Sequence, residues 1–183
     1  MFAKLAVVSA LVATVIAHGN LTSPPARLTG PAMVKACGQT GVSAIEADGT
    51  IPLEDVEVTG ASCNLFLCRG AVFEDNKSRL QTFKAGQVIP MKASIPIPHE
   101  GPMNVSIVDT KTNKAIGQPL IVFDSYADEK LATLPANNTA FSVTMPQLPV
   151  NKCTQGGECV MQWFWFGTAA KQTYESCVDF VQG

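Results

Sequence analysis

The stretch that decides the fold is Cys159–Phe166, "CVMQWFWF". In it Met161, Trp163 and Trp165 alternate with Gln162, Phe164 and Phe166. A period of two is a strand period, and it sends the two tryptophans to one face. That face is read as packing between sheets. A carbohydrate platform would need both rings exposed together on a flat surface. Working outward, similar short runs rich in β-branched and aromatic residues recur: "QVIPMKASI" (87–95), "MNVSIVD" (103–109), "PLIVF" (119–123), "TAFSVTM" (139–145) and "ESCVDFV" (175–181). Turn signals such as "KTNKAIG", "PANN" and "TQGG" separate them. Short strands at this spacing predict an all-β chain, an immunoglobulin- or fibronectin-like antiparallel β-sandwich with long loops and short helical turns. Pro90, Pro96 and Pro98 mark the first run as an edge strand or an early exit into a loop. Residues 18–80, rich in Pro and Gly, read as loops with one short helical turn.

Ahead of this body, residues 1–17 carry one early cation, Lys4, then the apolar run Leu5–Ala17, with Val15 and Ala17 at the positions a signal peptidase reads. The run is shorter than the roughly 18–20 residues that span a bilayer. The expectation is a signal peptide over 1–17, a single domain over 18–183, secretion to the extracellular space, no membrane association after cleavage, and a monomer. Losing Lys4 leaves 12 Lys and Arg against 15 Asp and Glu, with no basic run, which argues against nucleic acid as a partner. Four Asn-x-Ser/Thr sequons, at Asn20, Asn76, Asn104 and Asn137, fit a glycoprotein. Six cysteines in an oxidising compartment favour three disulfides over a zinc site, for which the CxxC spacing is missing. Spacing favours Cys63–Cys68 as a local staple and Cys153–Cys159 across a Thr-Gln-Gly-Gly-Glu turn, leaving Cys37 for Cys177.

The chain has two histidines, His18 and His99. Cleavage after Ala17 would make His18 the first residue, offering an α-amine and an imidazole to one metal ion. The amine has an ordinary pKa near 8, so the metal must displace a proton at neutral pH. Copper(II) does so, since nitrogen ligands and tetragonal geometry suit it. His99, in the Pro/Gly-flanked turn "PIPHEGP", would add the third nitrogen. Near the end, "KQTYESC" puts Gln172 and Tyr174 on one face of a strand and Cys177 on the other. Tyr174 is placed to take an axial position and Gln172 to hydrogen-bond an oxygen species. Asp124, Asp128 and Glu129 cluster in "FDSYADEK", which reads as a solvated loop rather than a hydrolase carboxylate pair. Within it Tyr126 is a minor candidate for the substrate face.

Taken together, "HGNLTSPPAR", "ACGQ", "CNLFLCRGAVFEDNKSRLQTF", "PHEGPMNVSIVDTKTNKAIGQPLIVFDSYAD" and "CVMQWFWF" with "QTYESCVDFV" resemble the fungal copper-dependent lytic polysaccharide monooxygenases, most closely auxiliary activity family sixteen. "QTY" also resembles the Gln-x-Tyr motif of the cellulose-active family nine. The resemblance implies one copper per chain in a histidine brace of His18 and His99, with Tyr174 axial and Gln172 beside it. It implies oxygen or hydrogen peroxide as co-substrate, an external electron donor, and insoluble β-1,4-glucan such as cellulose as substrate. Family nine adds a further histidine near the oxygen site that this chain lacks, which leaves Gln172, Glu100 or water to deliver protons. The competing readings are a copper-binding secreted protein of uptake or homeostasis, a chitin-directed oxygenase, and a plain structural sandwich.

Overall fold

A computed structural model describes residues 18–183; the proposed leader, 1–17, lies outside the described residues. Among the described residues nine strands form two sheets. The first holds β1 (His18–Ser23), β3 (Val88–Ile97) and β7 (Ala140–Thr144), in the order β1-β3-β7. The second runs β2 (Gln81–Phe83), β9 (Gln172–Gln182), β8 (Cys159–Gly167), β4 (Gly101–Asp109), β5 (Lys114–Ala115), with β6 (Ile121–Tyr126) also pairing β4. All pairings are antiparallel except β2 with β9. The expected sandwich is therefore present. Among the described residues no helix is long and apolar enough to cross a membrane.

The alternation in β8 builds the core. Met161, Trp163 and Trp165 are fully buried between the sheets, against Ile89 and Met91 of β3 and Phe141 and Val143 of β7. Tyr126 meets both indoles edge-on, at 6.3 and 5.7 Å between centroids, a geometry aromatic quadrupoles favour. It is buried, and its hydroxyl donates to the Asn138 carbonyl at 2.5 Å. Tyr126 is thus a core residue; the suggestion that it faces substrate is incorrect.

β3 is the centre of its sheet, not an edge. Its prolines are tolerated because its neighbours are staggered: β7 pairs with Val88–Lys92, and β1 with Lys92–Ile97. Each half of the strand therefore has one open side, where a missing N–H costs nothing. Pro96 lies at an irregularity between the His18/Ile97 and Asn20/Ser94 pairs, where β3 holds one residue more than β1.

The front segment is more ordered than its composition suggests. It supplies β1, α1 (Pro31–Cys37), α2 (Gln39–Ala47) and short 3-10 turns, with a second apolar cluster around Met33, Val42 and Val56. α1 opens on a proline, and its exposed N–H groups are capped from a distance: Asp75 accepts from Ala32 and Met33 at 3.0 and 2.9 Å. Gly38, at φ +89°, makes the turn between the helices.

This layer covers the outer face of β9, so that strand is buried on both sides. Its two faces also decide the disulfides. Cys177 points outward beside Val108 and Val160 and bonds Cys68, while Cys37 lies inside the helical layer and bonds Cys63. The pairings Cys63–Cys68 and Cys37–Cys177 are therefore incorrect; Cys153–Cys159 is present. One sequon is also structural. Asn76 is 1 % exposed, donating to Leu28 O and Val72 O and accepting from Leu28 N, which leaves no room for a glycan.

Two buried acids lie on that outer face. Asp179 receives a two-pronged grip from Arg27, Nε and Nη2 each at 2.7 Å, and Arg27 also donates to Ala71 O. Both partners are nearly inaccessible. Removing one leaves an unpaired buried charge, so Asp179→Ala should lower unfolding free energy by about 3–5 kcal/mol, and Arg27→Met with Asp179→Leu should recover most of it. Chemical denaturation under oxidising conditions checks this; equal losses in the single and double variants would contradict it.

Glu175 is the other acid. Burial pushes its carboxyl up to about 7, against hydrogen bonds from Arg69, Gln162 and Cys68 that favour the ionised form. The folded state holds this proton more tightly than the unfolded chain. Its contribution is complete below the ordinary glutamate range and is lost as pH rises towards 7. Stability of the natural chain relative to Glu175→Gln should fall by up to about 3 kcal/mol between pH 4.5 and 7 and then level off. A difference that is flat with pH, measured by denaturation, would contradict the assignment.

Candidate metal centre

The two histidines lie at the same end of one antiparallel strand pairing. His18 opens β1 and pairs with Ile97; His99 follows two residues later in the turn between β3 and β4. The same turn is pressed on the end of β8. Gly101 has no space for a side chain, since a Cβ there would stand 1.9 Å from the Phe166 carbonyl oxygen. A Cβ on Gly167 would lie 3.2 Å from that of His99. His99 is therefore seated over the last residue of β8, and Gly167 is paired with Gln172 of β9.

A second path closes the circuit. Gly19, next to His18, lies against Trp165, where an added Cβ would stand 2.8 Å from the ring. Trp165 stacks on Tyr174 with centroids 4.5 Å apart, and the Tyr174 hydroxyl donates to Gln172 Oε1 at 3.0 Å. His18, His99, Gln172 and Tyr174 thus lie at one end of the sandwich, joined through Gly19, Trp165 and Gly167. Tyr174 is 1 % exposed. Burial, with Glu54 and Asp55 nearby, pushes its phenol above the ordinary range, so it remains protonated at neutral pH.

Three residues that sequence reading overlooked hold this end. Asp48 Oδ2 lies 2.8 Å from His18 Nε2. Burial raises the Asp48 carboxyl, but hydrogen bonds from Thr50 and the nearby His18 and Arg69 outweigh it and hold the group below the usual carboxylate range. The same turn docks on β1, with Gly19 N donating to Thr50 O at 3.1 Å. Glu54 accepts from both the backbone N–H and the hydroxyl of Thr173, each at 2.7 Å, and so clamps β9 between Gln172 and Tyr174. Arg69, in the left-handed region at φ 58°, donates to the carbonyls of Gly49 and Ile51 on either side of Thr50. None has a sequence signature: "EADGT" reads as an Asp-Gly turn and "PLEDVE" as an acidic loop.

The carboxylates of the Asp124, Asp128 and Glu129 cluster are at the surface, but only Asp128 and Glu129 lie in a loop, since Asp124 is part of β6. Asp124 is exposed, and Glu129 accepts from the Glu100 N–H at 2.6 Å. Glu100 itself holds Ser125 and Lys130. Among the described residues no group of three or more His, Cys, Asp or Glu side chains could hold a metal ion. A metal site at this end would have two imidazoles to draw on, and a third ligand would have to come from elsewhere than those side chains. His99 shows an unmet valence of the right kind: it is 8 % exposed, and its buried Nδ1 has no hydrogen-bond partner.

Comparison with known proteins follows the same lines. The crystal structure of a chitin binding domain from Burkholderia pseudomallei is 12% identical, covering 91% of this chain and 100% of that one at a TM-score of 0.51. The structure of a cellulose-active lytic polysaccharide monooxygenase in complex with copper is 14% identical, covering 90% and 98% at a TM-score of 0.50. Identities this low establish the fold alone. No curated protein sequence matches. Residues 18–180 match the family model described as lytic polysaccharide mono-oxygenase, cellulose-degrading. That match begins at His18 and runs through the whole sandwich, and the chain belongs to the lytic polysaccharide mono-oxygenase family.

Proposed function

We propose that this is a secreted, copper-dependent monooxygenase that cleaves cellulose or a related β-1,4-glucan oxidatively, and that within its family it stands with the fungal enzymes of auxiliary activity family sixteen. Removal of residues 1–17 would free the His18 amine. That amine, the His18 imidazole and the His99 imidazole are the three nitrogens that would hold one copper. The observation that carries the reading is the β1–β3 register, which brings the start of the domain beside the turn bearing His99. The unmet nitrogen of His99 and the all-nitrogen donor set fit copper(II). When bound, copper supplies one-electron redox chemistry towards oxygen or hydrogen peroxide, with electrons from an external donor.

The protein's own residues fix geometry around that ion. Asp48 accepts from His18 Nε2–H, which selects the tautomer whose Nδ1 carries the lone pair. Nδ1 and the α-amine of the same residue then chelate together. Tyr174 stays neutral and, buried beside Gln172, would limit what can approach a metal held by the two histidines. Gln172 receives the Tyr174 hydroxyl on Oε1, which orients its side chain at this end, where it would hydrogen-bond an oxygen co-substrate. The protein would bind an insoluble chain through the surface around the brace.

Incubation of the processed protein with cellulose, reductant and either oxygen or peroxide should release oxidised oligosaccharides, and His99→Ala should abolish this. Gln172→Ala should reduce turnover about 10–100-fold while copper still binds. Copper binding without oxidised products would favour an uptake or storage role, and products from chitin alone would move the substrate class. The Asp48 contact yields a separate expectation. A methyl group on Nε2 would remove the donor Asp48 needs, so mass spectrometry of the N-terminal peptide should find His18 unmodified; a mass increase of one methyl would contradict the tautomer assignment.

A further inference from the structure

A cleft of about 610 Å³ lies between β1, the two front helices and the outer face of β9. Neither histidine lines it. Its inner wall carries three polar atoms that are buried and have no hydrogen-bond partner: Asn20 Oδ1, Arg69 Nε and Glu175 Oε2. Arg69 and Glu175 are both more than nine-tenths buried. Arg69 uses its two terminal nitrogens on Gly49 O and Ile51 O, which leaves Nε. No ion pair joins Arg69 to Glu175 among the described residues. Buried polar groups in folded proteins are almost always matched, and a set of three unmatched around one space points to a partner that the chain does not supply.

The unmatched set is one donor, Arg69 Nε, one acceptor, Asn20 Oδ1, and one carboxyl oxygen, Glu175 Oε2. A hydroxyl group donates and accepts, so a polyol satisfies all three. The rest of the wall is mixed, and its aliphatic part, from Leu28, Met33 and Ile45, suits the C–H faces of a sugar ring. Three arginines and two glutamates line the cleft, and Arg27 among them is already held by Asp179, so neither sign is in large excess, which favours a neutral ligand over an ionic one. The volume falls in the range of about 300–1,000 Å³ typical of small-molecule sites. We propose that this cleft binds a neutral soluble saccharide of one or two rings, at a position separate from the metal centre.

Gly49 offers a way to block it. Its only close neighbour on the Cβ side is Asn20 Nδ2 at 3.7 Å, an ordinary contact, so Gly49→Leu adds a side chain into the cleft without a clash. Metal-free processed protein, titrated with glucose and with cellobiose and followed by amide NMR, should show saturable shifts at Asn20, Gly49, Arg69 and Glu175. Gly49→Leu should weaken the apparent affinity at least ten-fold. Absence of saturable shifts, shifts centred on His99 and Gln172, or stronger response of the cleft amides to free glutamate would overturn the proposal. If Gly49→Leu does not fold, the shift map of the natural chain decides alone. Because no copper is present, the result is independent of whether the brace binds metal.

Discussion

β1 runs along the second half of β3, and this pairing places the start of the domain against the turn that carries His99. Everything at that end follows from it. The register sets His18 opposite Ile97, the extra residue at Ile95–Pro96 bends β3 there, and Gly19 lets β1 approach the face of Trp165. A shift of one residue would turn His18 to the core and Gly19 outward, because strand side chains alternate. Leu21 opposes such a slip, since it is buried among the core residues on the same side as Gly19.

β9 links that end to the rest of the molecule. Its inner face carries Tyr174 against Trp165; its outer face carries Thr173 clamped by Glu54, Glu175, Cys177 in a disulfide, and Asp179 gripped by Arg27. The strand is therefore held from both sides, and Gln172 and Tyr174 inherit its rigidity. Under the proposed function, support of this kind would keep the side chains at that end in one arrangement. The helical layer, which looked like loop in the sequence, is what supplies the outer grip.

The sandwich was legible because β8 states its period plainly, and the same alternation recurs in the runs around it. The pairing of Gln172 and Tyr174 on one face, and Cys177 on the other, was legible for the same reason. What was hidden depends on contacts between distant segments. β1 lacks a strong strand signal and exists through β3. The disulfides follow which face of β9 and which layer each cysteine joins, not spacing along the chain. Asn76 carries a sequon, yet its amide is spent on Leu28 and Val72. Asp48, Glu54 and Arg69 have no motif at all and become meaningful only when their turns dock on β1 and β9. Tyr126 sits in an acidic loop by sequence but is drawn inward by two indoles and one carbonyl.

The central claim is that a free His18 amine and two imidazoles at this end bind one copper. Copper(II) titration followed by electron spin resonance, on the chain beginning at His18 and on the chain carrying one extra residue before it, tests this most directly. The account predicts one equivalent bound in a tetragonal nitrogen field by the first chain, and a changed spectrum with much weaker binding in the second. Identical binding and spectra in the two would contradict it.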